Sequence, residues 1–266
     1  MLRPVTRRDR KWDLRAWDLR PIWIGVAAMI LIGVALELTF LYRVVADERA
    51  VAVDYDYYLD VARRWLDTGI YYTERQLSGP YQQTTLVDNL YPPHALYLFL
   101  PFLVLPGLLW WILPLGLISY VVWWCRPEPW GWAALATLLL FPKSPNLIIY
   151  GNTDMWIGAA VAAGVRWGWP AVMVSIKPSL GFFGALGIRT RAWWVAGLAL
   201  ALASLPLAAL WLQYPTALGN SSARFWYSFA DLPFLLIPVA AWLFSSRRAG
   251  MPYARWMARL LRSGRP

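Results

Sequence analysis

The sequence predicts an all-α, polytopic membrane protein with about eight transmembrane helices, of which Pro93–Leu105 and Trp130–Phe141 are short for a bilayer core. Two observations of composition support this fold class. Of the 266 residues, 59% are hydrophobic and only 15% are charged, with a mean hydropathy of +0.43, whereas a soluble domain carries roughly a quarter charged residues. The apolar residues also form long runs, which indicate membrane spans more than soluble core strands.

The third observation is the distribution of charge, because the net charge of +10 is concentrated at the two ends of the chain. Residues 1–20 hold seven basic side chains, and residues 247–265 hold six and no acid. The segment 44–91 holds eight acids and only four arginines. By the positive-inside rule, the basic tails 1–20 and 246–266 are predicted to be cytoplasmic and the loop 44–91 extracytoplasmic, in the plasma membrane. This pattern favours contact with anionic membrane lipid and argues against a nucleic acid partner.

A single transmembrane domain is predicted over residues 21–245. Pro21–Tyr42 makes the first span, and the acidic loop follows it. Alternate counting of the later segments puts Lys143, Arg189 and Arg191 on the cytoplasmic side. Those segments are Pro93–Leu105, Gly107–Trp124, Trp130–Phe141, Leu147–Val165, Pro170–Ile188, Trp193–Leu212 and Phe229–Phe244.

Within the loop, Asp54–Thr68 has the periodicity of an amphipathic helix. Asp54 is predicted to cap its N-terminus and Gly69 to end it. Such a helix is expected to lie on the outer membrane surface, where Asp54 would meet both lipid-borne and water-borne reactants. The predicted apolar face carries Tyr55, Tyr58, Leu59, Ala62, Trp65 and Leu66, and the polar face carries Asp56, Asp60, Arg63, Arg64 and Asp67.

Several short motifs follow one another in a characteristic order from Asp54 to Ser222. They are Asp54 with Tyr57 and Tyr58, then Ala62 and Gly69, Tyr91-Pro92-Pro93, Gly151-Asn152-Thr153-Asp154, Ile176-Lys177-Pro178 and Gly219-Asn220-Ser221-Ser222. This order resembles glycosyltransferase family 87, whose members are polyprenol-phosphate-mannose-dependent mannosyltransferases of the GT-C superfamily. The resemblance implies a GT-C-like bundle that transfers a hexose, expected to be mannose, from a polyprenyl-phosphate-sugar donor to a glycolipid or glycan acceptor with inversion.

The resemblance also implies roles for the two ionisable residues at its centre. Asp54 would be the base that takes the proton of the acceptor hydroxyl, although an Asp at this position could also simply cap its helix. Asp56 is the alternate base, or a solvated charge on the polar face. Lys177 would contact the donor phosphate, because a charge inside an apolar segment costs at least about 2.5 kcal/mol and needs a reason. A structural ion pair is the other reading, with Asp154 or Glu37 as its partner.

The remaining candidate residues would bind substrate. Asn152 and Asn220 could hydrogen-bond a sugar or diphosphate, or could join helices instead. Arg224, with Arg63 or Arg64, could supply a second phosphate contact, or could solvate a loop. Tyr58, Tyr91, Asp154 and the sole histidine, His94, complete the predicted substrate-binding set; for His94 a structural role is the alternative.

A transition-metal site is not expected, because the chain has one histidine and one cysteine, Cys125. Asp54 and Asp56 could hold Mg²⁺ or Mn²⁺ together with the donor phosphate. Two rival functions stay open. One is a non-enzymatic polyprenyl-lipid transporter or flippase in which Lys177 and Arg224 bind phosphate, and the other is a structural membrane subunit.

Overall fold

The structure is a computed structural model, and within its described residues the chain is helical and has no strand. Its only sheet-like pairings in that part are two isolated bridges, Tyr81 with Ser221 and Pro127 with Ser245. The all-α prediction is therefore confirmed. The predicted tails, most of the first span, Glu37 and Arg224 lie outside the described residues, which are 51–82, 88–222 and 229–245 together with positions 31, 33–35, 38, 39 and 42.

Ten α-helices and several 3-10 helices follow one another along the described residues from 51 onward, and the described positions between 31 and 42 are helical as well. The α-helices are α1 Val53–Thr68, α2 Glu74–Ser78, α3 Leu96–Phe99, α4 Leu109–Cys125, α5 Pro129–Leu139, α6 Lys143–Tyr150, α7 Asp154–Trp167, α8 Arg191–Ala203, α9 Ala208–Asn220 and α10 Leu232–Leu243. The 3-10 helices are Pro93–Ala95, Leu100–Leu103, Trp169–Ile176, Pro178–Gly187 and Leu205–Leu207.

Helix α1 begins and ends close to the predicted positions, but its cap differs. Ala52, in a left-handed conformation with φ of 62°, precedes the helix, so Asp54 lies in the first turn and is not the N-cap. The carboxylate still faces the positive end of the helix dipole there. At the other end, Gly69 has φ of 73° and its N–H donates to the Trp65 carbonyl oxygen, 2.8 Å away, so the predicted stop is confirmed.

The apolar face of α1 packs against the protein itself. Tyr55, Tyr58, Leu59 and Ala62 are buried, as predicted, and the Tyr58 ring stacks on Phe99 with 4.9 Å between centroids. Leu66 lies on the same face by helix geometry, but it is 57% exposed near the end of the helix. The packed face is therefore covered by protein, which differs from the expectation of a helix laid on lipid.

Three predicted continuous spans are broken in the structure. The segment Leu147–Val165 divides at Gly151, where φ of 72° ends α6 before α7 begins. The segment Pro170–Ile188 forms two 3-10 helices that meet at Lys177, because the following proline disfavours a helical conformation there. The segment Trp193–Leu212 divides at Ser204, shortly before Pro206.

Among the described residues, no single helix combines the length and the apolar character needed to cross a bilayer. Two bent pairs reach that length and composition together. One pair is α5 with α6, which meet at 62°, and the other is α8 with Leu205–Asn220, which meet at 44°. The described part of the chain thus has short, angled helices where long ones were predicted.

Helix α7 lies at the centre of the fold and carries the candidate site at its N-terminus. Nearly all of its residues are buried, between α4, α10 and the 3-10 helices of residues 169–187. Small residues allow this close packing: a Cβ on Gly158 would lie only 2.8 Å from the Phe234 ring, and one on Gly164 would lie 2.8 Å from Ala171 Cβ. The position of Asp154 is therefore fixed by a tightly packed helix.

Candidate functional site

The site is built around the side-chain amide of Asn152, which joins α1 to α7. Its Nδ2 donates to Asp54 Oδ2 at 2.7 Å, and its Oδ1 accepts a hydrogen bond from the backbone N–H of Asp154 at 2.9 Å. The amide is thereby oriented at both ends. One carboxylate oxygen of Asp54 is held in place, and this orients the other oxygen.

The turn that carries Asn152 is held by neighbouring helices. Trp110 Nε1 donates to the Gly151 carbonyl oxygen at 2.7 Å, and Trp111 Nε1 donates to the Ile148 carbonyl oxygen at 2.6 Å. Gly151 adopts a left-handed φ, and a Cβ there would lie 2.8 Å from Tyr55 Cβ. Glycine is therefore required both by the backbone conformation and by the close approach of α1.

A buried ion network follows Asn152. Lys177 Nζ lies 2.7 and 2.9 Å from the two carboxylate oxygens of Asp154 and 3.3 Å from Asp231 Oδ2. Asp154 is fully buried, and the Lys177 side chain is 13% exposed. The predicted pairing of Lys177 with Asp154 is confirmed, and two carboxylates compensate the ammonium group, as a buried charge requires.

Asp231 is a member of the network that the sequence analysis missed. It lies at the start of the last apolar segment, next to α10, and is 4% exposed. An acid inside an apolar segment was the available signal, the same signal that identified Lys177. The polar network thus extends from Asp54 through Asn152, Asp154 and Lys177 to Asp231.

Lys143 also approaches this network, with its Nζ 4.0 Å from Asp231 Oδ1. Alternate counting of spans predicts Lys143 on the opposite side of the membrane from Asp54, whereas its contact with Asp231 connects Lys143 to the network that contains Asp54. Lys143 is the first residue of α6, which meets α5 at 62°.

The Asp54 carboxyl lies in an environment that favours proton binding. Burial raises the pKa of Asp54 above its ordinary value, and the nearby Asp154 charge raises the pKa further. The hydrogen bond from Asn152 and the positive charges of Lys177 and Lys143 lower it in part. A partly buried carboxylate with a raised pKa is a better proton acceptor than a fully solvated one.

The hydroxyl groups of Tyr58 and Tyr91 contact Thr153, which lies in the same turn as Asn152. Tyr58 Oη and Tyr91 Oη share a hydrogen bond of 3.1 Å, and Tyr91 Oη lies 2.6 Å from Thr153 Oγ1. The Thr153 N–H donates to Tyr58 Oη at 3.4 Å. Tyr58 and Tyr91, predicted to bind substrate, therefore contact the turn next to Asn152.

Other predicted site residues lie in different surroundings. His94 Nε2 lies 3.1 Å from Ser175 Oγ, and its ring stacks on Trp211. Asn220 Nδ2 donates to the Gln76 carbonyl oxygen at 3.0 Å, away from Asn152. Arg63 pairs with Asp60, and Arg64 donates to the carbonyl oxygens of Ile70 and Tyr71.

Asp56 is exposed on the polar face of α1. Two residues along an α-helix turn the side chain by roughly 200°, so Asp54 and Asp56 point in different directions and do not form a shared cation site. Among the described residues, no group of three histidine, cysteine, aspartate or glutamate side chains is placed to hold a metal ion.

The arrangement brings together a partly buried carboxylate, an orienting amide and an ammonium group held by two acids. Such a set can accept a proton and, after an exchange of partners on Lys177, can stabilise an anion. No protein-family model, curated protein or solved structure matches this chain.

Proposed function

We propose that this chain is a membrane-embedded, inverting glycosyltransferase with a GT-C-like bundle. It transfers a hexose, mannose in the first instance, from a polyprenyl-phosphate-sugar donor to a glycolipid or glycan acceptor. The observation that carries the proposal is the hydrogen-bonded connection between Asp54 and the Lys177 ion network through Asn152 and Asp154. A base and a cation are the two groups that this transfer needs, and here they are part of one structural unit.

The apolar surface supports a membrane location. Helix α8 has no buried residue, and Trp194, Val195, Leu198 and Leu202 are each more than half exposed. A soluble monomer rarely exposes an entire apolar helix, whereas a helix that faces lipid does so without cost. The bent pairs α5–α6 and α8–α9 are the segments that we expect to enter the bilayer, in a polytopic arrangement.

In the proposed reaction, Asp54 accepts the proton of an acceptor hydroxyl as that oxygen attacks the anomeric carbon. The bond between the anomeric carbon and the phosphate oxygen breaks, and the phosphate leaves with the electron pair. Because the nucleophile enters opposite the leaving group, the configuration inverts. The Asn152 hydrogen bond orients Asp54 for this step.

Lys177 stabilises the departing phosphate only if it exchanges one of its carboxylate partners for the phosphate. The network contains three carboxylates, from Asp54, Asp154 and Asp231, and two ammonium groups, from Lys177 and Lys143. Asp231, whose oxygen is the more distant from Lys177 at 3.3 Å, is the partner that we expect to be displaced. Lys177 lies at the break between two 3-10 helices, where we expect the backbone to allow this exchange.

The pairing of Lys177 with both Asp154 and Asp231 is also the observation that favours the rival functions. A lysine bound by two buried carboxylates has the geometry of a structural ion pair, as a transporter or a structural subunit would use. Asp54 would then have no chemical role.

Reconstituted liposomes separate these functions. The purified chain is incorporated with labelled polyprenyl-phosphate-mannose and a membrane glycolipid extract, and the lipid products are resolved by chromatography. We expect labelled sugar to move from the donor to an acceptor with inverted anomeric configuration. Movement of intact donor across the bilayer with no transfer would establish the transporter instead, and neither activity would favour the structural subunit.

A further inference from the structure

A cavity lies between the end of α1, the short helix α2 and the helix α9. Its volume is about 400 Å³, and Tyr72, Glu74, Ser78 and Gln213 are among its lining residues. This volume is within the range of roughly 300–1,000 Å³ that small-molecule sites occupy. None of these residues belongs to the Asp54 network.

The lining combines an aromatic ring with two uncharged hydrogen-bonding groups and one carboxylate. Tyr72 is the aromatic residue of the lining, and its ring also stacks on Tyr214, which lies behind it, with 6.1 Å between ring centroids. The Gln213 amide and the Ser78 hydroxyl can each donate and accept hydrogen bonds, and the Glu74 carboxylate can accept two from neighbouring hydroxyls. A ligand ring with apolar faces and many hydroxyl groups is chemically complementary to these lining side chains.

The charge of the lining excludes an anionic ligand. Glu74 is the one charged residue among the lining side chains, so the cavity carries a negative charge. The two nearest arginines in sequence have other partners, since Arg75 pairs with Asp88 and Arg64 donates to the Ile70 and Tyr71 carbonyl oxygens. A phosphate in this cavity would meet a carboxylate without a compensating cation.

The walls of the cavity are fixed by buried polar contacts. Gln76 is fully buried, and its Nε2 donates to Tyr81 Oη at 3.1 Å, while Tyr81 Oη donates to the Ala217 carbonyl oxygen on α9 at 3.0 Å. Asn220 adds a bond from α9 to the Gln76 carbonyl oxygen. Because α2 is joined to α9 in this way, the cavity is preformed, and little ordering is required when a ligand binds.

The cavity is separate from Asp54 yet structurally connected to it. Gly69 follows Asp54 by fifteen residues on α1, and a rise of about 1.5 Å per residue puts the two roughly 22 Å apart. Tyr72 Oη donates to the Tyr91 carbonyl oxygen at 2.8 Å, and the Tyr91 hydroxyl contacts the turn that carries Asn152. A single sugar cannot fill the cavity and reach Asp54 at once.

We infer that this cavity binds a neutral saccharide, and that it holds the remote end of an extended glycan acceptor whose near end reaches Asp54. Saccharide binding itself is independent of the proposed transfer reaction, whereas the assignment to the acceptor rests on the proposed function. The acceptor class would then be an uncharged oligosaccharide, either free or carried on a lipid.

Saturation-transfer NMR on the full chain in a detergent without sugar groups tests the binding. The probes are mannose, mannotetraose and mannose 6-phosphate, and a glycolipid in nanodiscs tests the lipid-borne source. We expect Glu74→Gln and Gln213→Ala each to weaken mannotetraose binding by about tenfold, because a lost hydrogen bond to a bound sugar is worth roughly 1–1.5 kcal/mol. Asp60→Asn, the same kind of charge removal at an exposed site on α1, is the matched control and should bind normally.

If both variants bind the free oligosaccharide more weakly than the unaltered chain does, the site is supported and its ligand is a free saccharide. If binding is observed and weakened only with the glycolipid, the site is supported and the saccharide is carried on a lipid. Equal binding by the variants and the unaltered chain would overturn the inference, as would mannose 6-phosphate bound as tightly as mannose, or no binding by any neutral probe. If binding is observed but no sugar is transferred in liposomes, the proposed function fails and the saccharide site stands. If transfer occurs and is equally fast for short and long acceptors, the acceptor assignment fails alone.

Discussion

The Asn152 side chain controls the ionisation and the direction of the Asp54 carboxylate. Its Nδ2–H group stabilises the negative form of Asp54, which offsets part of the effect of burial. Its Oδ1 is held by the Asp154 N–H, so the amide cannot rotate freely. The sequence predicted that Asn152 binds a sugar or diphosphate or joins helices, and its hydrogen bond to Asp54 joins α1 to the turn before α7.

We therefore expect Asn152→Ala to change the pH dependence of transfer. Without the hydrogen bond, the pKa of Asp54 rises further, and the base must be unprotonated to act. The acid limb of the kcat profile should move to higher pH, so that activity is lost earlier as the pH falls. A pH–rate series in liposomes measures this shift. Asn220→Ala removes an amide that bonds to Gln76 instead, and its acid limb should stay in place; equal limbs in both variants would refute the role of Asn152.

Individual charged residues were predictable from the sequence, but their connections were only partly so. An ionisable residue in an apolar segment is conspicuous, and this identified Lys177 and its partner Asp154. The hydrogen bond from Asn152 to Asp54 joins positions 98 residues apart, and nothing local in the sequence indicates it. Asp231 is also an ionisable residue within a predicted apolar segment. It lies so near the start of that segment that the sequence alone places it at the boundary of the span.

At the scale of the elements, the site depends on where helices break. Asn152 and Thr153 lie between α6 and α7, and Lys177 lies between two 3-10 helices. Their polar groups can converge because the backbone turns at both places. Hydropathy averages over such turns, and for this reason the segments Leu147–Val165 and Pro170–Ile188 were predicted as continuous spans.

Gly151 is the residue that makes the first of these breaks possible. Gly151→Ala would strain a left-handed backbone and would place a Cβ 2.8 Å from Tyr55 Cβ and 2.9 Å from the Trp111 ring. We expect a loss of about 2–4 kcal/mol in the free energy of unfolding, from backbone strain and overpacking together. Thermal and denaturant unfolding in detergent measure the change.

Gly116→Ala, on α4, is the matched control. A Cβ there meets nothing within 4 Å, and alanine has the higher helix propensity. This variant should unfold at or slightly above the temperature of the unaltered chain. Similar stability in the two alanine variants would show that the turn at Gly151 is not constrained as described.

At the scale of the whole molecule, the polar network leads us to predict which segments share one side of the membrane. Asp54 and Lys143 belong to the same network. Arg189 lies elsewhere, two residues after Gly187, and Gly187 packs against Gly168 at the far end of α7. Seen along α7, Asp154 and Gly168 mark opposite ends of the fold. This end-to-end arrangement depends on helix packing, which charge counts along the sequence do not contain.

Thiol labelling tests the arrangement, because the sole cysteine, Cys125, is buried and can be replaced by serine. In that background, Asp60→Cys and Lys143→Cys should both react with a membrane-impermeant maleimide added from the extracytoplasmic side. Arg189→Cys should react only after the opposite side is exposed. Labelling of Lys143→Cys together with Arg189→Cys, and apart from Asp60→Cys, would support the alternate count of spans and contradict this prediction.

The most direct test of the central proposal is the rate of sugar transfer by Asp54→Asn, measured beside its affinity for the labelled donor. The exchange removes the proton acceptor and keeps the size of the side chain, so we expect transfer to fall by at least about a hundredfold while donor affinity stays within about twofold. Asp56→Asn and Asp60→Asn make the same change at exposed positions of α1 and should leave transfer intact. Full transfer by Asp54→Asn, or its loss in Asp56→Asn instead, would contradict the assignment of Asp54 as the base.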